Sequence, residues 1–262
     1  VTTTAMRLKR LIGQQIRIMV CRAVVEESEC EKILGVLANN KLSWWHHLHG
    51  DKSDPNKPKP GLISQLSKRV GFLCQLAKYL PVEKLKIMIN GIFMSKLMYC
   101  LQLFGNVWGI ETMDETETRQ NSFTIANLRN LQVLQNKVLR LMTGSGYSTP
   151  TSALLKKSGM LSINQLVAYT TLVSVFKIKK SHKPSYLAER LGFLNQNDRF
   201  TNRRPRLCNV NFKLARGREG MVYQGSRLFN SLDPSLKMET NEMRFKKNVK
   251  KWIQNEIPQI PY

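Results

Sequence analysis

The sequence predicts a mainly α protein of α+β type, with a small β-hairpin element at its N-terminal end followed by a helical bundle. Two observations carry this. From residue 61 onward, apolar residues recur three and four apart, the period of one helix face. Before that, residues 14–37 hold short β-branched segments with close turns, the pattern of an antiparallel unit. A Pro-rich stretch separates the two regimes. The expected organisation is therefore 1–49 as the β element, 50–60 as a hinge, 61–180 as a helical bundle, and 181–262 as a basic connector with C-terminal helices.

In the β element, "QIRIMV" alternates, "AVVEES" follows, and "KILGV" is a compact apolar run. Leu34-Gly35-Val36 reads as a core strand with a Gly bulge. "GDKSDPNKPKPG" (50–61) has three Pro, two Gly and mixed charge, which marks a loop. In "GLISQLSKRVGFLCQLAKYL", Leu62, Leu66, Leu73, Leu76 and Leu80 form one stripe, with Lys68, Arg69 and Lys78 away from it. Pro81 then stands at a helix start. The segment 82–105 is apolar nearly all round, which predicts a central position, and Gly91 weakens an unbroken helix there.

The acidic, polar stretch 109–121 reads as a surface loop. A helix resumes at "SFTIANLRNLQVLQNKVLRLMTG", with Leu128, Leu131, Leu134, Val138 and Met142 on one face and Gly144 as its C-cap. "YSTPTSALLKKSGM" predicts a loop with a short helix. "LSINQLVAYTTLVSVFKIKKS" predicts an amphipathic helix with a basic last turn that suits the macrodipole. The closing part reads as two helices around an "LDP" turn.

Charge is the strongest bulk signal: 41 Lys+Arg against 18 Asp+Glu, a net +23. Such self-repulsion calls for a polyanionic partner or screening ions. Nucleic acid is the leading partner, an anionic membrane surface the second, and a merely basic surface the bland alternative. The apolar stretches read as too short to span a bilayer; no membrane partner is expected, and peripheral binding through the basic helices 161–180 and 240–256 is the least favoured alternative. Five scattered cysteines without C-x-x-C fit a reducing compartment, nucleus or cytoplasm. Cys74 and Cys100, in apolar helical patterns, read as small hydrophobes.

Catalytic signatures are absent. No Asp-Asp pair occurs, and Asp51, Asp54, Asp114 and Asp198 all fall in loop-like stretches. Two-metal phosphoryl transfer needs convergent carboxylates. His46, His47 and His49 could hold zinc, but H-H-x-H lacks the usual spacing; the alternative is a surface turn with one ordered His. Trp44 and Trp45 could stack bases, but adjacent residues do not share a face, so one ring packs inward.

Four segments resemble one family. "SECEKILGVLANNKLSWWHHL" resembles the stretch that follows the catalytic palm in reverse transcriptases of non-LTR (LINE-type) retrotransposons, through Lys32, Leu34, Gly35, Val36, Leu42, Trp44 and His47. "LQVLQNKVLRLMTG" resembles a helix of that family through Leu131, Gln135, Lys137, Arg140, Thr143 and Gly144. "SGMLSINQLVAYTTLVSVFKI" and "VYQGSRLFNSLDPSLK…FKKNVKKWI" resemble two later segments, with Asp233-Pro234 where the family usually has Leu-Pro. The segments occur in the family's order over most of the chain.

The resemblance implies the thumb and connector region of an RNA-directed DNA polymerase, with 14–37 the end of its palm. The family's catalytic F/Y-x-D-D would lie upstream of Val1, so a fragment is expected. It would have no catalytic residue and no cofactor of its own, Mg²⁺ belonging to the palm. The implied partners are RNA, RNA/DNA duplex and that palm. The implied grip is Lys32 and Gly35 near the primer, Lys68, Arg69, Lys137 and Arg140 on helices, and Lys179, Lys180, Arg203, Arg204 and Arg206 in a basic zone running from 177 to 218. That zone has few aromatics, which favours phosphate contact over stacking. The alternative is a domesticated helical interaction module, motivated by the apolar 82–104 segment and the acidic loop.

Overall fold

The computed structural model describes residues 18–20, 23–25, 30–39, 44–51, 58–105, 122–192, 206–208 and 220–257. The fold is mainly α, with short β-hairpins near the N-terminal end. The chain divides into two compact units, residues 1–68 and 69–262.

Among its described residues the first unit holds three separate two-stranded antiparallel ladders. β1 (Ile18–Val20) pairs with β2 (Ala23–Val25), β3 (Cys30–Ile33) with β4 (Val36–Asn39), and β5 (Gly50–Asp51) with β6 (Lys59–Pro60). A short helix, α1 (Trp45–His49), stands between β4 and β5 and packs on both. In the β3–β4 hairpin Ile33 faces Val36, so Leu34 and Gly35 are the two-residue turn. Both have positive φ, 48° and 85°, the sign that a type I′ turn needs to follow strand twist.

This corrects the reading of Leu34-Gly35-Val36 as one bulged core strand. The chain reverses inside the triplet. Val36 is buried, while Leu34 is 86% exposed at the tip. Asp51 is also relocated from a loop to β5, where it is buried. Lys59 Nζ lies 3.9 Å from its carboxylate and donates to the Cys30 carbonyl at 2.9 Å. The thiol of Cys30 is pushed up by burial and by the neighbouring Asp51 charge.

α2 (Leu62–Leu76) follows, with Leu62, Leu66, Val70 and Leu73 buried and Lys68 exposed, close to the expected stripe. Leu76 and Leu80 are only half-buried, and Cys74 is exposed rather than a buried hydrophobe.

The second unit contains the apolar run 82–104 as a broken rod. α3 (Val82–Ile89) passes into a π-helical turn, Asn90–Met94, at Gly91. α4 (Ser95–Met98) then stops at Cys100, whose φ is 56°, and α5 (Leu101–Phe104) restarts. Leu85, Ile89, Phe93, Leu97 and Leu101 are buried, but Val82, Ile87, Tyr99 and Leu103 are exposed. The run is therefore one-sided and not central. It spans 23 residues and is long and apolar enough to cross a membrane by length and composition, which corrects the expectation that no stretch is. A soluble core helix passes the same test.

The centre belongs instead to α8 (Ile163–Ser181), which is buried on most faces from Ile163 to Ile178. It starts on a capping box, Ser162 with Gln165, that satisfies two backbone N–H groups. α5, α6 (Ser122–Thr143), α9 (Ser185–Leu191), α10 (Met221–Ser231) and α12 (Glu242–Glu256) all pack on α8. Phe176 stacks on Phe245 of α12 with centroids 4.2 Å apart. α10 approaches closely because Gly225 has no side chain; a Cβ there would lie 2.6 Å from Val175 Cγ2. Helices from both sides of residue 180 thus pack on α8.

α6 shows the expected buried stripe, with Leu128, Leu131, Leu134, Val138 and Met142 all inside. Beside it runs a buried polar line. Gln132 Oε1 accepts the Ile163 N–H at 2.9 Å, and Gln135 Nε2 donates to the Leu161 carbonyl at 2.9 Å. Asn136 Nδ2 donates to Thr151 Oγ1, at the start of α7 (Thr151–Ser158), at 2.8 Å. These bonds satisfy side chains that would otherwise be costly to bury. Among the described residues, the chain's close has three helices rather than two: Asp233-Pro234 starts a short α11 (Pro234–Met238) between α10 and α12.

Candidate nucleic-acid interface

The expected grip residues fall into three groups. Lys32, Lys68, Lys137, Lys180 and Arg206 are exposed. Lys32 stands on β3, and Gly35 forms the turn beside it, so the two lie at the hairpin tip with exposed Ile33 and Leu34. Lys137 lies on the outer face of α6, Lys180 on the last turn of α8, and Arg206 beside the short 206–208 segment. That segment is held by Asn230, which accepts from the Leu207 N–H and donates to its carbonyl, each at 2.9 Å.

Arg69, Arg140 and Lys179 form the second group, and their cations are engaged by the fold. Arg69 Nη1 donates to the Ile92 carbonyl. Arg140 donates through Nε to the Gly146 carbonyl and through Nη2 to the Thr149 carbonyl, each at 3.3 Å. Lys179 Nζ donates to the Lys237 carbonyl at 2.7 Å and lies 5.3 Å from the centre of the Phe229 ring. Burial holds the Lys179 ammonium below its usual pKa. These three brace loops and helix ends, which their sequence positions did not disclose. Arg203 and Arg204 form the third group: they lie outside the described residues, as do the acidic stretch 109–121 and Cys21.

The three imidazoles of the "WWHHLH" stretch diverge. His47 is buried, and its Nδ1 accepts the Leu37 N–H at 3.4 Å. His46 Nδ1 lies 3.3 Å from Asn39 Nδ2, and the His49 ring stacks on Trp45 with centroids 3.7 Å apart. Trp45 is the more exposed tryptophan and Trp44 the half-buried one. Among the described residues no group of three or more His, Cys, Asp or Glu could hold a metal ion. Of the described carboxylates, Asp51 faces Lys59 and Glu242 sits among lysines.

That lysine cluster was not foreseen. Glu242 Oε1 lies 2.6 Å from Lys246 Nζ and 3.8 Å from Lys177 Nζ. The Lys246 hydrogen bond holds the Glu242 carboxyl below its ordinary pKa, with help from the Lys246, Lys177 and Lys180 charges. One carboxylate thus joins the basic end of α8 to the start of α12 and leaves a surplus of positive charge. Arg244, Lys247 and Lys251, spaced three and four apart, are all exposed on α12. A simple sequence signal could have pointed here: residues 118–188 contain no Asp or Glu and carry Lys or Arg at ten positions. Such a surface attracts phosphates through charge alone.

No model of a known protein family, no curated protein and no solved structure matches this chain.

Proposed function

We propose that this chain is the thumb and connector portion of a non-LTR retrotransposon-type reverse transcriptase, and that it binds template–primer backbone rather than carrying out catalysis. Four ordered segments of resemblance support the family. The observation that carries the role is the placement of charge: exposed Lys137, Lys177, Lys180 and Lys247 on helices whose carboxylates are outnumbered. The hairpin tip adds a second element. Its Gly35 turn lets backbone approach a strand end closely, with Lys32 beside it. Mg²⁺ and the reacting carboxylates would belong to a palm upstream, and no step is assigned to this chain.

The test is equilibrium binding of the 262-residue chain to an RNA/DNA duplex over a range of salt. Log affinity should fall linearly with log salt, at a slope of about −0.9 per phosphate neutralised. It should be indifferent to duplex sequence. Affinity that ignores salt overturns the reading.

A second reading is a helical interaction module with no nucleic-acid role. The exposed apolar side of the 82–104 run, Ile87 above all at 71% exposure, favours it. A protein complex that survives nuclease, together with absent duplex binding, would select this reading.

A further inference from the structure

We propose that Tyr147 is a stacking platform for an unpaired nucleobase, with Arg140 as its cationic backing. The inference rests on the nucleic-acid reading above and assigns a specific contact to it.

Tyr147 is 88% exposed, more than any other large apolar or aromatic side chain described. It is not on a loose loop. The Thr149 N–H donates to the Gly146 carbonyl at 3.2 Å, closing a β-turn with Tyr147 at its first central position. Arg140, one helix turn before the end of α6, donates to both ends of that turn, Gly146 and Thr149. The same guanidinium lies 5.2 Å from the centre of the Tyr147 ring. Lys157 of α7 secures the loop's start, with Nζ 2.7 Å from the Thr143 carbonyl and 3.5 Å from Ser145 Oγ. The turn and the ring on it are therefore braced by two cations from two helices.

The chemistry of this site favours a base over a protein side chain. An aromatic anchor at a protein interface stands in an apolar patch. Tyr147 stands among Gly, Ser and Thr in a stretch without a single carboxylate. Arg140 commits two of its five N–H groups and Lys157 two of its three, so both keep donors for phosphate. A projecting ring does not reach a base stacked inside a duplex, so the ligand is a single strand or a frayed end, where base faces are open.

The experiment measures fluorescence anisotropy of the 262-residue chain with two labelled RNA strands of about 12 nucleotides, a length that spans one such site. One is oligoadenylate; the other has the same phosphates and abasic riboses throughout. The wild-type chain should bind the base-bearing strand about fivefold to 150-fold more tightly, the range of one stacked base. Tyr147→Leu should remove most of that preference and leave abasic binding and the thermal midpoint unchanged. Tyr147→Phe should keep the preference. A preference that survives in Tyr147→Leu overturns the proposal. Equal wild-type binding of both strands also overturns it, while leaving backbone binding standing. Wild-type failure to bind either strand, or duplex, overturns both readings.

Discussion

Two apolar stretches of similar length, 82–104 and 163–181, end in different places. The first has the more continuous apolar run, yet one side of it faces outward, with Val82, Ile87, Tyr99 and Leu103 exposed. The second carries Asn164, Gln165, Thr170 and Thr171 along its length, yet it is the helix around which five others gather. The difference teaches that centrality follows from what neighbours can satisfy. α8 buries polar side chains because their bonds are closed: Gln165 Nε2 reaches the Ile257 carbonyl at 3.0 Å, and Gln165 Oε1 accepts the Ser162 N–H at 3.1 Å. The 82–104 run buries one stripe, Leu85, Ile89, Phe93, Leu97 and Leu101, through the π turn at Gly91, and leaves its other side uncovered.

The largest test of this contrast is Phe176→Ala in α8. It removes a ring stacked on Phe245 and should cost about 3–5 kcal/mol in chemical denaturation. A cost under about 1 kcal/mol would break the claim that α8 is the centre.

The next test separates adjacent lysines at the end of α8. Lys179→Ala loses a hydrogen bond to Lys237 and the stem over Phe229, and should cost about 1–2 kcal/mol. Lys180→Ala should stay within about 0.5 kcal/mol in stability. It should instead reduce the salt slope of duplex binding by about 0.9, which Lys179→Ala should not do. Identical behaviour of the two variants would erase the distinction between fold cations and grip cations.

Ile87→Ala tests the outward side of the 82–104 run. At 71% exposure it should change stability by less than about 0.5 kcal/mol. A loss comparable to that of Phe176→Ala would place this face inside a packed surface.

The smallest expected effect concerns the join between α8 and α12. The Glu242 carboxyl is held below its ordinary pKa in the folded chain, so its charge stabilises the fold above the ordinary carboxylate pKa. That contribution is lost as pH falls through the lower, folded value. Glu242→Gln should therefore lower stability slightly at neutral pH and flatten its decline below about pH 4.5, the ordinary range of a Glu side chain. Since the substitution frees Lys177 and Lys246, duplex affinity should rise. A steeper acid decline in the variant would contradict the assignment.

Much of the helical layout was legible from spacing. The α6 stripe, the Gly144 terminus and the short α7 follow from local period and capping chemistry. The site was less legible. Charge identified the basic stretches, but a cation's role depends on carbonyls brought near it by the fold. Ile92 lies 23 residues from Arg69, and Lys237 lies 58 residues from Lys179. Leu34 was misplaced because apolar continuity does not reveal a two-residue reversal.

By itself the sequence determined a mainly α chain with an N-terminal β element, an excess of positive charge and the helix periods. These depend on neighbours a few residues apart and on composition. Only the tertiary structure decided that α8 is the centre, that Arg140 braces the 146–149 turn, that Lys179 reaches the Lys237 carbonyl, and that Glu242 gathers three lysines. Those outcomes depend on hydrogen bonds and close contacts between segments far apart in the chain, which local spacing does not encode.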